Sequence, residues 1–377
     1  MAEMLLIGSV FLIFFSYFGY PLTLLLVGWV RGSEVKRAEF YPSVTFIVTV
    51  HNEETRIKEK LGNTLSLDYP RAKLQVLVAS DGSTDRTNEI VRGYCAQGIE
   101  LLDMPDRMGK EYAQKAAVES ATGDIIVFSD VATTMEIAGL RQLVSGFADP
   151  TVGCVSSEDR LVGRDGKPSG EGLYVRYEMW LRSLESRAGS LVGLSGSLFA
   201  AKKEVCDDFS GEMQSDFRTV LNSVKVGLRG VSDPLAVGIY QDSGDQKREW
   251  DRKIRTVVRG LTVFFRHVEL LNIFRYGLFS YQLFCHKLLR WLVPFFLIVA
   301  FVSNLVLLHD SLVYSALLLL QLLCYGCGVL GLLRPKMQDM IFVRISVYFL
   351  AVNTSILISW WRYLSGQRIV TWAPTRR

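Results

Sequence analysis

The residue best placed to do chemistry is an aspartate that follows a short apolar run. Asp130 comes two residues after Ile125–Phe128, a run rich in β-branched and aromatic residues that a Gly-Asp turn precedes. This pattern predicts a buried parallel strand. Open α/β sheets bind ligands at the carboxyl ends of their strands, so a carboxylate at Asp130 could hold a cation or accept a proton there. Capping of the next turn explains such an aspartate equally well on local sequence alone.

Two earlier apolar runs end in polar residues in the same way. Val44–Val50 is followed by Asn52, and Leu74–Ala79 is followed by Asp81, with a polar helical stretch between the two runs. Strands that alternate with helices predict a parallel sheet with right-handed crossovers, in which the carboxyl ends share one edge. We therefore expect Asn52, Asp81 and Asp130 to converge on one crevice.

A lysine and another aspartate stand where helices are predicted to begin. Gly109-Lys110 precedes a predicted helix over 111–121, so the ammonium group of Lys110 could lie near a phosphate. The spacing does not match a P-loop, and a surface turn is the alternative. Asp216 falls in the first turn of a predicted helix, where the helix dipole favours a carboxylate whether or not it is catalytic.

Residues 151–215 give weaker signals. Asp165-Gly166 predicts a hairpin turn, and residues 172–188 predict an amphipathic helix. Gly193–Ala200 is rich in small residues, which would let a sugar or the backbone approach closely, although a packed turn explains them as well.

The composition indicates a membrane protein with one sizeable soluble domain. Of the 377 residues, 49% are hydrophobic and 21% are charged. The apolar residues gather in segments long enough to cross a bilayer, which takes about 20 residues: 4–30, 289–308, 312–333 and 340–361. Cys324 and Cys327 form a C-x-x-C inside the third segment, where helix packing is expected and neither a zinc site nor a disulfide.

The charge distribution predicts the orientation of the soluble domain. The net charge of +4 does not require a polyanionic partner, so no nucleic-acid partner is expected. Basic residues concentrate at 31–37 and 247–259, which predicts a cytoplasmic position for both segments. The basic tail 362–377 would then follow the last span to the opposite side, against the positive-inside tendency, unless that span is re-entrant or interfacial.

The predicted domains follow from these segments. They are an N-terminal transmembrane helix (4–30), a cytoplasmic domain (40–250), basic amphipathic interfacial helices that contact membrane lipids (251–285), three membrane segments (286–361) and a basic tail (362–377).

Taken together, the motifs resemble those of the membrane-integrated family-2 glycosyltransferases, the branch that includes cellulose, hyaluronan, poly-N-acetylglucosamine and nodulation chito-oligosaccharide synthases. The resemblance covers about residues 42–260, and the arrangement of membrane segments extends it over nearly the whole chain. It implies an α/β fold: a GT-A-type, Rossmann-like, mostly parallel sheet domain with one N-terminal and about three C-terminal transmembrane helices.

The resemblance also implies a role for each candidate residue. Asp81 would bind the uridine, with Asn52 and Glu54 on the uracil and ribose, and Gly109-Lys110 would contact the donor. Asp130 would bind the metal, as the first aspartate of a D-x-D motif, and Asp216 would be the catalytic base. Arg252 and Arg255, near where processive members carry Gln-x-x-Arg-Trp, would contact the phosphates.

Several positions depart from the family pattern. Ala132 replaces the second acid of D-x-D, Ser215 replaces the first acid of the pair that ends in Asp216, and Lys115 replaces a common Asn. Arg252 and Thr256 replace the Gln and Trp of the processive signature, which argues against a long-chain synthase.

The implied activity is that of an inverting glycosyltransferase of the inner membrane. It would move a sugar from a UDP-sugar to a lipid-linked or polysaccharide acceptor, assisted by Mg²⁺ or Mn²⁺ at Asp130. If Arg255 contacts the phosphates, Arg255→Ala should weaken UDP binding. One base and one displacement predict inversion. Two alternatives stay open: a catalytically impaired relative that binds nucleotide-sugar as an assembly or regulatory partner, which Ala132 and Ser215 favour, and a nucleotidyltransferase of similar topology, which should release pyrophosphate.

Overall fold

The computed structural model describes residues 1–32, 34–162, 173–241 and 246–368. The predicted turn at Asp165-Gly166 and residues 369–377 of the basic tail lie outside the described residues.

The described part of the chain contains one eight-stranded sheet and a series of α-helices. Its strands are β1 (Val44–Val50), β2 (Leu74–Asp81), β3 (Ile99–Met104), β4 (Ile125–Asp130), β5 (Thr134–Met135), β6 (Val152–Val162), β7 (Leu198–Lys202) and β8 (Arg229–Gln241). The α-helices are α1 (Ala2–Phe14), α2 (Tyr20–Arg31), α3 (Ile57–Leu65), α4 (Thr87–Arg92), α5 (Lys110–Glu119), α6 (Gly139–Ser145), α7 (Leu173–Ala188), α8 (Ser215–Lys225), α9 (Gln246–Arg266), α10 (Ile273–Tyr276), α11 (Leu278–Leu283), α12 (Arg290–Val306), α13 (Leu312–Leu333) and α14 (Ile341–Leu364).

The chain divides into two compact units. The first comprises Met1–Thr23, Gln246–Leu261 and Leu283–Arg368, and the second contains Leu24–Asp245 and Thr262–Gln282. The whole sheet belongs to the second unit.

Four helical segments are apolar and long enough to cross a membrane: Ala2–Arg31, Leu278–Val306, Leu312–Leu333 and Ile341–Leu364. They confirm the predicted arrangement of one N-terminal and three C-terminal segments. The second begins earlier than the predicted residue 289, because the helix continues through a π-helical turn at Phe284–Leu289. The polar side chains of that turn lower the local hydropathy, and so the sequence pattern placed the start too late.

Small residues let α13 and α14 pack closely within the first unit. A Cβ on Gly331 would lie 2.4 Å from Val347 Cγ2, and one on Gly328 would lie 3.1 Å from the Ser346 carbonyl oxygen. Cys324 Sγ lies 3.7 Å from Ser346 Oγ in the same contact. The C-x-x-C segment thus packs between helices as predicted, in the manner of small residues at membrane-helix interfaces.

The sheet is parallel on one side and mixed on the other. Its strand order is β3-β2-β1-β4-β7-β6-β8-β5, and β3, β2, β1 and β4 pair in parallel. The short strand β7 runs antiparallel to β4, so its amino end lies at the edge where β4 ends. This arrangement brings the loop before β7 to the carboxyl ends of β1, β2 and β4.

Apolar side chains on both faces hold the sheet in place. All seven residues of β1 are buried, as expected for a central strand with helices on both faces. Phe46 and Val48 share one core with Ile57 and Leu61 of α3. On β4, Phe128 stacks on Phe199 and Phe209, with ring centroids 4.6 and 5.4 Å apart. Each fully buried side chain of this size contributes about 1.5–3 kcal/mol.

The sequence predicted the parallel half of the sheet better than the mixed half. β1 has its predicted bounds, whereas β2 and β4 each run two residues further, so that Asp81 and Asp130 are the last residues of their strands. The sequence pattern did not identify β3, β5, β6, β7 or β8. β7, Leu-Phe-Ala-Ala-Lys, is short and rich in alanine, which has weak strand propensity.

Candidate active site

The candidate residues lie at the carboxyl edge of the parallel strands. Asp130 pairs in register with Thr49 of β1, and Val50 pairs with Ser80 of β2, so the strands end almost level. The backbone N–H of Asp130 donates to the Ser197 carbonyl oxygen at 2.9 Å, which ties the loop before β7 to the same edge. The side chain of Asp130 does not cap the next turn: Thr133 N–H donates to the backbone oxygen of Asp130 at 3.1 Å.

Asp81 fixes the loop that presents Lys110. Asp81 is 2% exposed, and its carboxylate accepts hydrogen bonds from Met108 N–H at 2.7 Å and Gly109 N–H at 2.9 Å. Gly109 has φ +114°, a conformation that L side chains rarely adopt. This clamp places Lys110 at the first position of α5. A carboxylate has about four acceptor positions, so Asp81 keeps capacity for a further donor.

Lys110 and Asp130 form an ion pair at the strand ends. Lys110 Nζ lies 2.5 Å from Asp130 Oδ1 and 2.9 Å from the Gly196 carbonyl oxygen, and the two side chains are 11% and 29% exposed. Burial lowers the pKa of Lys110, but the charges of Asp130, Glu111 and Asp216 outweigh it, so the pKa is raised overall. Lys110 therefore stays protonated at neutral pH and supplies a positive charge at this edge.

Asp216 lies next to the same backbone. It is in the first turn of α8, as predicted, and Gln214 Nε2 donates to its Oδ2 at 3.0 Å. A Cβ built on Gly196 would lie 3.2 Å from Asp216 Oδ2. Gly196 thus lies between the Asp216 carboxylate and the Lys110–Asp130 pair. Any side chain at this position would crowd the Asp216 carboxylate, so glycine fits here without displacing it.

Asn52 and Glu54 support the loop between β2 and α4. Asn52 has φ +53°, and its Oδ1 accepts from Thr84 N–H at 2.8 Å. Glu54 Oε2 accepts from Arg86 N–H at 3.1 Å. The structure brings both residues to the predicted edge and gives them backbone partners there. Their nucleotide contacts stay a prediction.

Lys60, which was not predicted from the sequence as a functional residue, lies in the core behind Asp130. Lys60 is 1% exposed, and its Nζ donates to Ser129 Oγ at 2.7 Å and to the Thr133 carbonyl oxygen at 2.5 Å. Burial lowers the pKa of Lys60 to about 7, while the charge of Asp130 acts in the opposite direction. A signal was present, because Lys60 falls on the apolar face of α3 between Ile57 and Leu61.

Asp159 was also missed, and it orders the loop before β7. Its Oδ1 accepts from Ser195 Oγ at 2.6 Å and from Ser197 Oγ at 3.0 Å. These two serines flank Gly196. The close approach predicted for Gly193–Ala200 is therefore made by the backbone of Gly196, and Asp159 holds both neighbours of that residue.

Arg252 and Arg255 lie on α9, in the part of that helix that belongs to the first unit. Arg252 donates to Glu249 at 2.8 Å. The predicted phosphate contacts of both arginines stay sequence predictions.

The residues fit a divalent cation only in part. Asp130 offers one carboxylate, whose Oδ1 already contacts Lys110, and Ala132 offers no side-chain ligand. Groups of three or more His, Cys, Asp or Glu side chains that could hold a metal ion are absent from the described ranges. A cation at Asp130 would therefore need most of its ligands from a bound phosphate group or water.

Comparisons with known proteins agree with the fold. Residues 45–208 match the family described as "Glycosyl transferase family 2". The probable glycosyltransferase YdaM of Bacillus subtilis is 24% identical over 271 residues, which are 64% of this chain and 63% of that protein. The poly-beta-1,6-N-acetyl-D-glucosamine synthase of Staphylococcus aureus is 25% identical over 204 residues, 52% of this chain and 48% of that protein. The chain thus spans about half to just under two thirds of these relatives' lengths.

A solved structure shares the fold over nearly the whole chain. The mannosyltransferase PcManGT from Pyrobaculum calidifontis, in complex with GDP-Man and Mn²⁺, is 24% identical with a TM-score of 0.76. The match covers 98% of this chain and 100% of that one. The second unit is therefore a GT-A-like mixed sheet with helices, as the sequence resemblance implied.

Proposed function

Because residues 45–208 form a family-2 glycosyltransferase domain, we propose that the protein is an inverting glycosyltransferase that transfers a sugar from a UDP-sugar to a lipid-linked or polysaccharide acceptor at the membrane. The observation that carries the proposal is the meeting of three functional groups at Gly196: the Asp216 carboxylate on one side, and the Lys110–Asp130 pair on the other.

The donor site occupies the carboxyl edge of β1, β2 and β4. Asp81, Asn52 and Glu54 face the nucleoside, and Lys110 contacts the diphosphate. As the bond between the sugar and the diphosphate breaks, negative charge grows on the leaving group, and a preorganised cation there stabilises the transition state. Lys110 meets that need, because Asp130 and the Gly196 carbonyl oxygen already hold its ammonium in place.

Asp216 is the catalytic base. The acceptor hydroxyl attacks the anomeric carbon from the face opposite the diphosphate, and Asp216 takes its proton as the new C–O bond forms and the old one breaks. The electron pair of the broken bond leaves with the nucleoside diphosphate. One base and one displacement give inversion of configuration.

A divalent cation, Mg²⁺ or Mn²⁺, has a supporting place in this proposal. Asp130 is the residue that would hold it, together with donor phosphate oxygens. When bound, it would add positive charge beside the leaving group. Ala132 cannot assist, so we expect the cation to bind weakly without the nucleotide.

The four apolar helical segments support a reaction at a lipid surface. Four helices suited to crossing a bilayer flank the catalytic domain in sequence. The basic segments 31–37 and 247–259 support a cytoplasmic catalytic domain on the inner membrane. The matched synthase from Staphylococcus aureus makes a polysaccharide, which supports a glycan or lipid-linked acceptor for this chain.

Nucleotide release by the purified full-length protein tests the proposal. A panel of UDP-sugars, with GDP-mannose included because PcManGT carries that donor, is assayed for nucleoside diphosphate with and without Mn²⁺. We expect release of UDP from at least one donor and its loss in Asp216→Asn. Release of pyrophosphate would identify a nucleotidyltransferase. Donor binding with no turnover under any condition would identify a catalytically impaired relative.

A further inference from the structure

Lys60 makes contacts that its neighbours on the apolar face of α3 do not make. It projects from that helix into the core, 1% exposed, and its Nζ reaches both Ser129, directly before Asp130, and Thr133, three residues after it. The backbone between them folds into a turn closed by the bond from Thr133 N–H to the Asp130 oxygen. Lys60 therefore braces both ends of the turn that carries Asp130.

Asn63 continues this brace one helical turn later. Its Nδ2 donates to the Met135 carbonyl oxygen at 2.8 Å, and its Oδ1 accepts from Met135 N–H at 3.0 Å. Residues three apart lie on the same face of a helix. Lys60 and Asn63 together make four hydrogen bonds from α3 to the segment Ser129–Met135, and we call this pair the α3 clamp.

Packing alone does not explain a lysine at this position. The side chain is buried, and among the described residues its Nζ has no carboxylate in direct contact; the ring of Phe46 lies 5.3 Å from Nζ. Burying an amine is costly, and an apolar side chain of similar length would fill the space without that cost. The compensation lies in the two acceptors, which the ammonium and the neutral amine can both satisfy because each carries at least two N–H groups.

We propose that Lys60 is a positioning residue, which holds the Asp130 turn in the form that receives the donor diphosphate. Ala132 offers no ligand through which a cation could order this turn, so the order comes from the α3 clamp behind it. Lys60 acts through Asp130 and through the Lys110 ammonium that Asp130 holds. The expected change in donor KM rests on the proposed function, whereas the expected change in amide exchange can be measured without a substrate.

The test compares Lys60→Met with Lys58→Met in the full-length protein. Lys58 is exposed on the same helix, and methionine keeps the length of the lysine chain in both variants. Amide hydrogen exchange is measured for peptides that cover 129–136, and donor KM and kcat are measured with the nucleotide-sugar that the wild type uses. In Lys60→Met we expect at least tenfold faster exchange in this segment and an approximately tenfold higher donor KM, because two buried hydrogen bonds to the Asp130 turn are lost. Lys58→Met should match the wild type in both.

The outcomes separate positioning from a merely structural role. Unchanged exchange, or faster exchange with unchanged donor KM and kcat, overturns the proposal. If Lys60→Met does not fold, Ser129→Ala decides, because it removes one acceptor of the clamp: the same two changes at smaller size support the proposal, and wild-type behaviour overturns it. If the wild type transfers no sugar, the proposed function fails, while the exchange of 129–136 still tests the clamp.

Discussion

The two edges of the central sheet differ in how their polar groups find partners. At the amino edge lie two cavities, of about 510 and 370 Å³. Their charged residues bind separate partners: Arg71 donates to the Leu65 carbonyl oxygen, Lys203 donates to the Ala121 carbonyl oxygen, and Lys202 pairs with Glu204 at 3.9 Å. At the carboxyl edge, Lys110, Asp130, Gly196 and Asp216 come from four separate parts of the chain and meet at one point.

The larger of these two cavities carries little of the chemistry found at the carboxyl edge. The larger cavity is lined mainly by Leu65, Leu74, Val76 and other uncharged residues, with Arg71 as its ionisable side chain. In parallel strands the carboxyl ends carry the loops that converge from many elements, so functional groups collect there. Paired substitutions, one at each edge, test whether the contrast is real.

The largest contrast is expected between two aspartates. Asp216→Asn should lower kcat at least about 100-fold, because the amide cannot take the acceptor proton, and should leave UDP affinity within about twofold. Its control at the amino edge is Asp124→Asn. The Asp124 carboxylate, which this substitution removes, accepts a hydrogen bond from Ser43 Oγ at 2.5 Å. Steady-state kinetics and UDP titration compare the two. Similar kcat values in both variants would remove Asp216 from the mechanism.

Two lysines give the next contrast. Lys110→Met should raise the Kd for UDP about 10- to 100-fold, the effect of losing one hydrogen bond to a charged group. The control is Lys203→Met at the amino edge, where Nζ donates to the Ala121 carbonyl oxygen at 2.7 Å. Calorimetric titration with UDP, in buffer with and without EDTA, measures both. If Lys203→Met weakens UDP binding as much as Lys110→Met does, the charge at the carboxyl edge has no special role.

Two glycines should separate kinetics from stability. A Cβ at Gly196 would touch the Asp216 carboxylate at 3.2 Å, so Gly196→Ala should lower kcat about tenfold, by displacing the base. A Cβ at Gly123 would lie 2.5 Å from Thr45 N, so Gly123→Ala should destabilise the fold by about 1–3 kcal/mol while the folded fraction keeps its kcat. Thermal unfolding and kcat per folded molecule distinguish them, and the reverse pattern would contradict the assignment of the two edges.

A pH dependence of stability is also expected beside the carboxyl edge. Burial lowers the pKa of Lys60 to about 7 from its ordinary value of 10.5. Between these values the unfolded chain binds one more proton than the folded chain does. This group therefore makes the free energy of unfolding rise as the pH increases from 7 toward 10.5, by about 1.4 kcal/mol per pH unit at most. Melting temperatures of wild type and Lys60→Met at pH 7 and 9 measure it. Equal slopes would show that Lys60 does not carry the lowered pKa.

The sequence predicted the parallel half of the fold because local patterns there are strong. β-branched runs such as Val44–Val50 are long enough to specify a strand alone, and each is followed by its polar residue. Within that half it missed β3, and on the mixed side it failed at β5, β6, β7 and β8, whose partners are distant in sequence and whose pairing changes direction from strand to strand. Lys60 was missed for a related reason: its hydrogen-bond acceptors lie 69 and 73 residues away.

What the sequence determined by itself was the set of chemical groups and the kind of element that each one follows. Asp81 and Asp130 end apolar runs, Asp216 begins a helix, and long apolar segments flank the soluble domain, all of which depend on neighbours a few residues apart. Only the tertiary structure decided which groups meet. Lys110 reaches Asp130, and Gly196 separates this pair from Asp216, because an antiparallel strand brings its preceding loop to the edge where the parallel strands end. No local pattern contains that information, since the free energy that fixes it comes from contacts between residues far apart in the chain.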